Sequence, residues 1–91
     1  MRKPVKRVVV DESVSSSQLA RFKAFAREKG VGISKYLLVR EHCPGMPDGQ
    51  ILYHLLDETT IFVTTDRPFH NKVLSKGLAS VESHKVIPVA L

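Results

Sequence analysis

At 91 residues the chain is long enough for one domain and too short for two. Hydrophobic residues at 43% and charged residues at 25% exclude a disordered chain, and no apolar run approaches the ~20 residues of a membrane span. Fourteen Lys and Arg against nine Asp and Glu give a net charge of +5, which suits a polyanionic partner such as nucleic acid and equally suits a solvated basic surface.

The single cysteine, Cys43, excludes an intrachain disulfide and fits a reducing cytoplasm. Residues 1–6 read as a basic N-terminal tail. The apolar run after it, Val8 to Val10, is too short for the core of a signal peptide. A chain this short buries a modest core, so a homodimer or a protein partner is expected.

Arg7 to Val10 is β-branched and continuous, the pattern of a strand buried on both faces, and it stops at Asp11-Glu12. Ser15 to Gln18 reads as a capping box that starts a helix. Leu19, Phe22, Phe25 and Ala26 follow at helical spacing, with Arg21, Lys23, Arg27 and Glu28 outward and Gly30 and Gly32 as the stop. A second strand is predicted at Tyr36 to Val39.

His42 to Gly49 is a loop rich in Pro and Gly, and Pro47-Asp48 starts the next helix with Asp48 as its cap. That helix carries Ile51, Leu52, Leu55 and Leu56. Thr60 to Thr64 is predicted as the third strand. A helix from Pro68 to Lys76 turns Phe69, Val73 and Leu74 inward and ends at Gly77. The fourth strand falls within Ser80 to Val89, where Pro88 shortens or turns it.

The alternation of strand and helix predicts an α/β fold with a mainly parallel sheet of four to five strands and right-handed crossovers. In the common order 2-1-3-4, the first and third strands lie side by side, and the crevice between their ends binds ligands. Parallel strands share one carboxyl edge. Asp11 follows the first strand, Asp66 follows the third, and Asp48 begins the helix between the second and third, so topology delivers three acids to that edge. Crowded carboxylates repel and call for a cation, and hard oxygen ligands suit Mg²⁺ or Mn²⁺. Each acid also has a plainer role: Asp48 as a helix cap, Asp66 as a turn and N-cap, and Glu12 as a solvated neighbour that otherwise assists a metal.

The pieces V-V-V-D-E-S, P-D-G-Q-I-L and I-F-V-T-T-D-R-P-F-H resemble the small PIN-like proteins, both the compact VapC-like group and the C-terminal domain of the Mut-seven type. The likeness runs from about Val8 to Ile87. It implies a small three-layer PIN-like domain over residues 1–91 and a metal-dependent ribonuclease, plausibly the toxin of a toxin-antitoxin pair with an antitoxin-like partner. Carried over by position, it makes Asp11, Asp48 and Asp66 the catalytic acids that bind Mg²⁺ or Mn²⁺. Ser13 stands where such relatives carry Asn, and Pro68 where they carry a further acid.

Arg67, His70 and Thr65 are candidates for substrate phosphate, each with a plain surface or strand-end role beside it. Asn71 and Thr64 stand close by. His42, Cys43 and His54 lack the number and spacing of a zinc site, and no glycine-rich phosphate loop occurs. Two other functions compete with the ribonuclease. One is a degenerate, non-catalytic PIN-like module that binds protein or nucleic acid. The other is a receiver-like phosphorylation switch, similar in its acids but without a lysine after a late strand, because Lys85 is expected within or before the last one.

Overall fold

The computed structural model describes residues 6–83. The run predicted as the first strand is β1 (Lys6–Val10), which already includes one residue assigned above to the basic tail. It is central: Val8, Val9 and Val10 are all buried. The second strand, β2 (Ile33–Leu38), pairs with β1 in parallel along its whole length. On its other side β1 pairs with β3 (Thr60–Thr64), and β3 pairs with β4 (Ala79–Glu82), again in parallel. The sheet therefore has four parallel strands in the order β2-β1-β3-β4, the order expected from the sequence.

Side chains alternate across this sheet, and the helices divide accordingly. Val8, Val10 and Val63 pack against Leu19, Phe22 and Ala26 of α1 (Ser16–Glu28). Val9 and Phe62 face the opposite layer. That layer is built from Val39 of α2 (Val39–His42), Ile51 of α3 (Asp48–His54), and Phe69 and Val73 of α4 (Arg67–Ser75). One crossover runs outward from β1 to β2 and the later ones run the other way. Right-handed connections then put α1 on one face and the other helices on the second.

Several boundaries differ from the sequence reading, each for a local reason. The second strand starts earlier and stops at Leu38. Val39, assigned above to the strand, is fully buried in the helical turn α2, which closes with Cys43 N–H donating to Val39 O at 2.7 Å. Arg40 ties that turn to the start of α1 by donating to Val14 O at 3.3 Å and Ser16 Oγ at 3.4 Å.

Asp48 does not cap α3. Pro47 occupies the cap position in an extended conformation, no side chain accepts there, and Asp48 is the first helical residue. Leu56 lies beyond the end of α3 yet is buried. Leu74 does not point inward: it is 47% exposed, because Phe69 and Val73 already fill the buried side of α4.

Gly30 and Gly77, just past α1 and α4, take the left-handed conformation at φ 70° and 77°. Pro88 lies outside the described residues. So does Lys85. Among the described residues no helix is long and apolar enough to cross a membrane.

The capping box stands as read: Gln18 N–H donates to Ser15 Oγ at 3.2 Å, and Ser15 N–H donates to Gln18 Oε1 at 2.8 Å. Ser15→Ala removes one half of this pair and should cost about 1 kcal/mol. In a domain of this size that lowers the melting temperature by roughly 4–8 °C, measurable by thermal denaturation.

Candidate acidic site at the strand ends

The chain reverses its winding direction between β1 and β3, so a crevice opens at their carboxyl ends. Asp11 sits on one side of it, half-buried, and extends the pairing by one step: its N–H donates to Val63 O at 2.9 Å. Its carboxylate is held from three directions. The Thr64 hydroxyl donates to Oδ2 at 2.7 Å, the Ser13 hydroxyl donates to the same oxygen at 3.1 Å, and Glu12 N–H donates to Oδ1 at 2.9 Å.

Both hydroxyls also accept from the backbone that leaves β3. Asp66 N–H donates to Thr64 Oγ1 at 3.0 Å, and Thr65 N–H donates to Ser13 Oγ at 3.2 Å. Two relays thus run from the end of β3, through a hydroxyl each, to one oxygen of Asp11. Ser13, which departs from the Asn of PIN-like proteins, is a working member of this lock. Thr64 is fully buried, as a β-branched residue at a strand end readily is.

Asp66 is the N-cap of α4, with Oδ1 accepting from Phe69 N–H at 3.1 Å. Its Oδ2 has no hydrogen-bond donor among the described residues. Asp48 is exposed at the start of α3. Its carboxyl is held above the usual carboxylate range, first by partial withdrawal from water and then by the negative charges of Asp11 and Asp66, with Lys72 acting in opposition. For so exposed a side chain both causes are small in energy. The like-charge part means that Asp48 lies within electrostatic reach of Asp11 and of Asp66, which come from separate stretches of chain.

The other sequence candidates fall elsewhere. Glu12 does not join the three acids: its Oε1 accepts from Gly45 N–H at 3.0 Å and pins the loop before α3. Thr65 contributes its backbone N–H to the lock. Arg67 is exposed and donates through Nε to Glu82 Oε2 at 3.4 Å. His70 is turned to β4, with Nδ1 2.6 Å from Ser80 Oγ and Nε2 3.7 Å from Glu82 Oε1.

Glu82 and Lys72 were not singled out from the sequence. Glu82 ends β4 opposite Thr64 and so lies on the same carboxyl edge. The rule that found Asp11 and Asp66, an acid where a parallel strand stops, would have found it too, had the fourth strand been ended at residue 82.

As they stand, no three His, Cys, Asp or Glu among the described residues form a group that would hold one metal ion. The donor chemistry nonetheless suits a hard cation. Asp48 has no hydrogen-bond partner among the described residues, Asp66 keeps one oxygen without a donor, and free carboxylate oxygens are hard ligands. Compared with protein-family models, with curated proteins and with solved structures, the chain matches none.

Thr64→Val keeps the shape and deletes the hydroxyl. It leaves Asp66 N–H without its acceptor and Asp11 with one donor fewer, so it should destabilise the fold by about 1–3 kcal/mol in denaturant unfolding. A second test reads the repulsion. A carboxyl whose folded pKa is raised contributes stability at low pH that is lost as pH rises through the folded value. Without metal, the wild type should therefore gain melting temperature relative to Asp48→Asn as pH falls from neutral through the carboxylate range. A pH-independent difference between the two would mean that Asp48 does not sense Asp11 and Asp66.

Proposed function

We propose that this chain is a metal-dependent ribonuclease of the PIN-like kind, with Asp11, Asp48 and Asp66 as its metal-binding acids. The observation that carries the proposal is one of placement: Asp11 and Asp66 follow the adjacent parallel strands β1 and β3, and Asp48, far from both in sequence, senses the charge of each. The motifs containing Asp11, Asp48 and Asp66 that resemble PIN-like proteins support the same reading, and a net charge of +5 is compatible with RNA as the substrate.

Asp11 would serve as the fixed ligand, since three hydrogen bonds set its orientation, leaving capacity chiefly on Oδ1. Asp66 offers Oδ2, and Asp48 offers a carboxylate on an exposed helix start. A bound Mg²⁺ or Mn²⁺ supplies Lewis acidity towards a phosphodiester and a more acidic water. Arg67, exposed beside Asp66, would contact a phosphate, whereas His70 faces Glu82 and Ser80. A cytoplasmic toxin of this type would be restrained by an antitoxin-like protein covering the acid edge, alone or as a homodimer.

The second reading is a non-catalytic binding module on the same fold, favoured by the absence of an assembled three-ligand group among the described residues. A Mn²⁺ titration separates the two. A ligand that binds only the folded state at ten times its Kd stabilises by about 1.4 kcal/mol, a rise of roughly 6–11 °C in melting temperature. The wild type should show that rise. Asp66→Asn should lose most of it while staying folded, since Asn caps a helix as well as Asp does. Cleavage of labelled single-stranded RNA should then require Mn²⁺ or Mg²⁺ and vanish in Asp11→Asn and Asp66→Asn. A wild type indifferent to millimolar Mn²⁺ would leave the binding module as the function.

A further inference from the structure

We propose that Glu82 is a positioning residue that holds Arg67 at the rim of the acid edge to receive a phosphate of single-stranded RNA; this rests on the ribonuclease reading of that edge. Glu82 is the last residue of β4 and lies opposite Thr64, the residue that locks Asp11. Its side chain is only 10% exposed, and a carboxylate so enclosed needs positive or hydrogen-bonding company. Two residues of α4 provide it. Arg67 Nε donates to Oε2 at 3.4 Å, and His70 Nε2 stands 3.7 Å from Oε1.

The match is built from two periodicities. Ser80 and Glu82 are two apart on a strand and point to the same side of the sheet. Arg67 and His70 are three apart on a helix and share a face. The Ser80 hydroxyl, 2.6 Å from His70 Nδ1, fixes the imidazole so that its other nitrogen faces Glu82. Engaged in this way, Glu82 is not placed as one more ligand beside the three acids.

Arginine is suited to what remains. Gripped through Nε, a guanidinium still offers the N–H donors of its two terminal nitrogens, a fork that fits two phosphate oxygens. Those nitrogens have no partner among the described residues, and the Arg67 side chain is 57% exposed immediately after Asp66. A phosphodiester approaching three carboxylates meets repulsion, and a cation held beside them by a fourth carboxylate offsets it without relaxing into the acids themselves. A lysine carries its three donors on one nitrogen, so an ammonium bound to Glu82 cannot also present a planar pair of N–H groups to two phosphate oxygens.

The test is binding, read by fluorescence anisotropy of a short labelled 2′-O-methyl RNA in EDTA, so that neither metal nor cleavage enters. Arg67→Ala should weaken binding several-fold and reduce the slope of log affinity against log salt by about 0.7, the loss of one phosphate contact. Arg67→Lys should weaken it nearly as much despite keeping the charge. Glu82→Gln should weaken the wild type and add nothing to Arg67→Ala. Arg67→Lys binding as well as the wild type would overturn the proposal, and it decides alone if Glu82→Gln does not fold. An equal loss from Glu82→Gln in both backgrounds, or no RNA binding by the wild type, would also overturn it. Failure of the Mn²⁺ titration with this coupling intact would sink the metal reading and leave the Arg67–Glu82 pair standing.

Discussion

The hydroxyl of Thr64 is the point on which the acid edge turns. It donates to Asp11 and accepts from the backbone of Asp66, so one buried atom joins the ends of the two central strands. A threonine at the last position of β3 satisfies three demands together. Its branched side chain fits the strand, its burial excludes competing water, and its hydroxyl has both a donor and an acceptor to use. Ser13 repeats the relay from the loop side with a more exposed hydroxyl. The pair converts a flexible pair of strand exits into a defined geometry, and the Asp11 carboxylate inherits that definition.

The same lock explains why the three acids differ in character. Asp11 is tied through both oxygens, Asp66 through one as a helix cap, and Asp48 through none among the described residues. The Asp48 carboxyl, the least anchored of the three, is raised first by partial withdrawal from water and then by the charges of Asp11 and Asp66. An ion arriving there would find one ligand fixed, one half-fixed and one able to swing, since α3 presents Asp48 from its first turn with no cap bond to break. That gradient of restraint accounts for acids that influence one another without standing as a closed ligand set.

Much of this was legible in the sequence because it follows from local rules. The valines of β1, the Ser15–Gln18 box and the limits of β3 are statements about neighbouring residues, and the strand order follows from the connections between them. The position of Asp11 and Asp66 just after neighbouring parallel strands followed from the same topology. What escaped depended on distant partners. Nothing near Glu12 announces that its carboxylate will hold Gly45, 33 residues away. Val39 reads as strand because its apolar neighbours do, yet tertiary burial curls it into a turn. Glu82 was hidden because the sequence left the end of the fourth strand open within Ser80 to Val89, and an acid is recognisable as an edge residue only where the strand is known to stop.

The distribution of charge follows from distance. Screening in physiological salt acts over about 8 Å, so a polyanion at long range responds to net charge, and a group inside the crevice responds to its immediate neighbours. The chain separates these two scales. Its excess of Lys and Arg is spread along the sequence, while acids gather where β1 and β3 end. Between the two lie Lys72, which opposes the upward shift of Asp48, and Arg67, held by Glu82. An edge built only of acids would repel its substrate until a metal arrived. The arginine held by Glu82 offsets part of that repulsion.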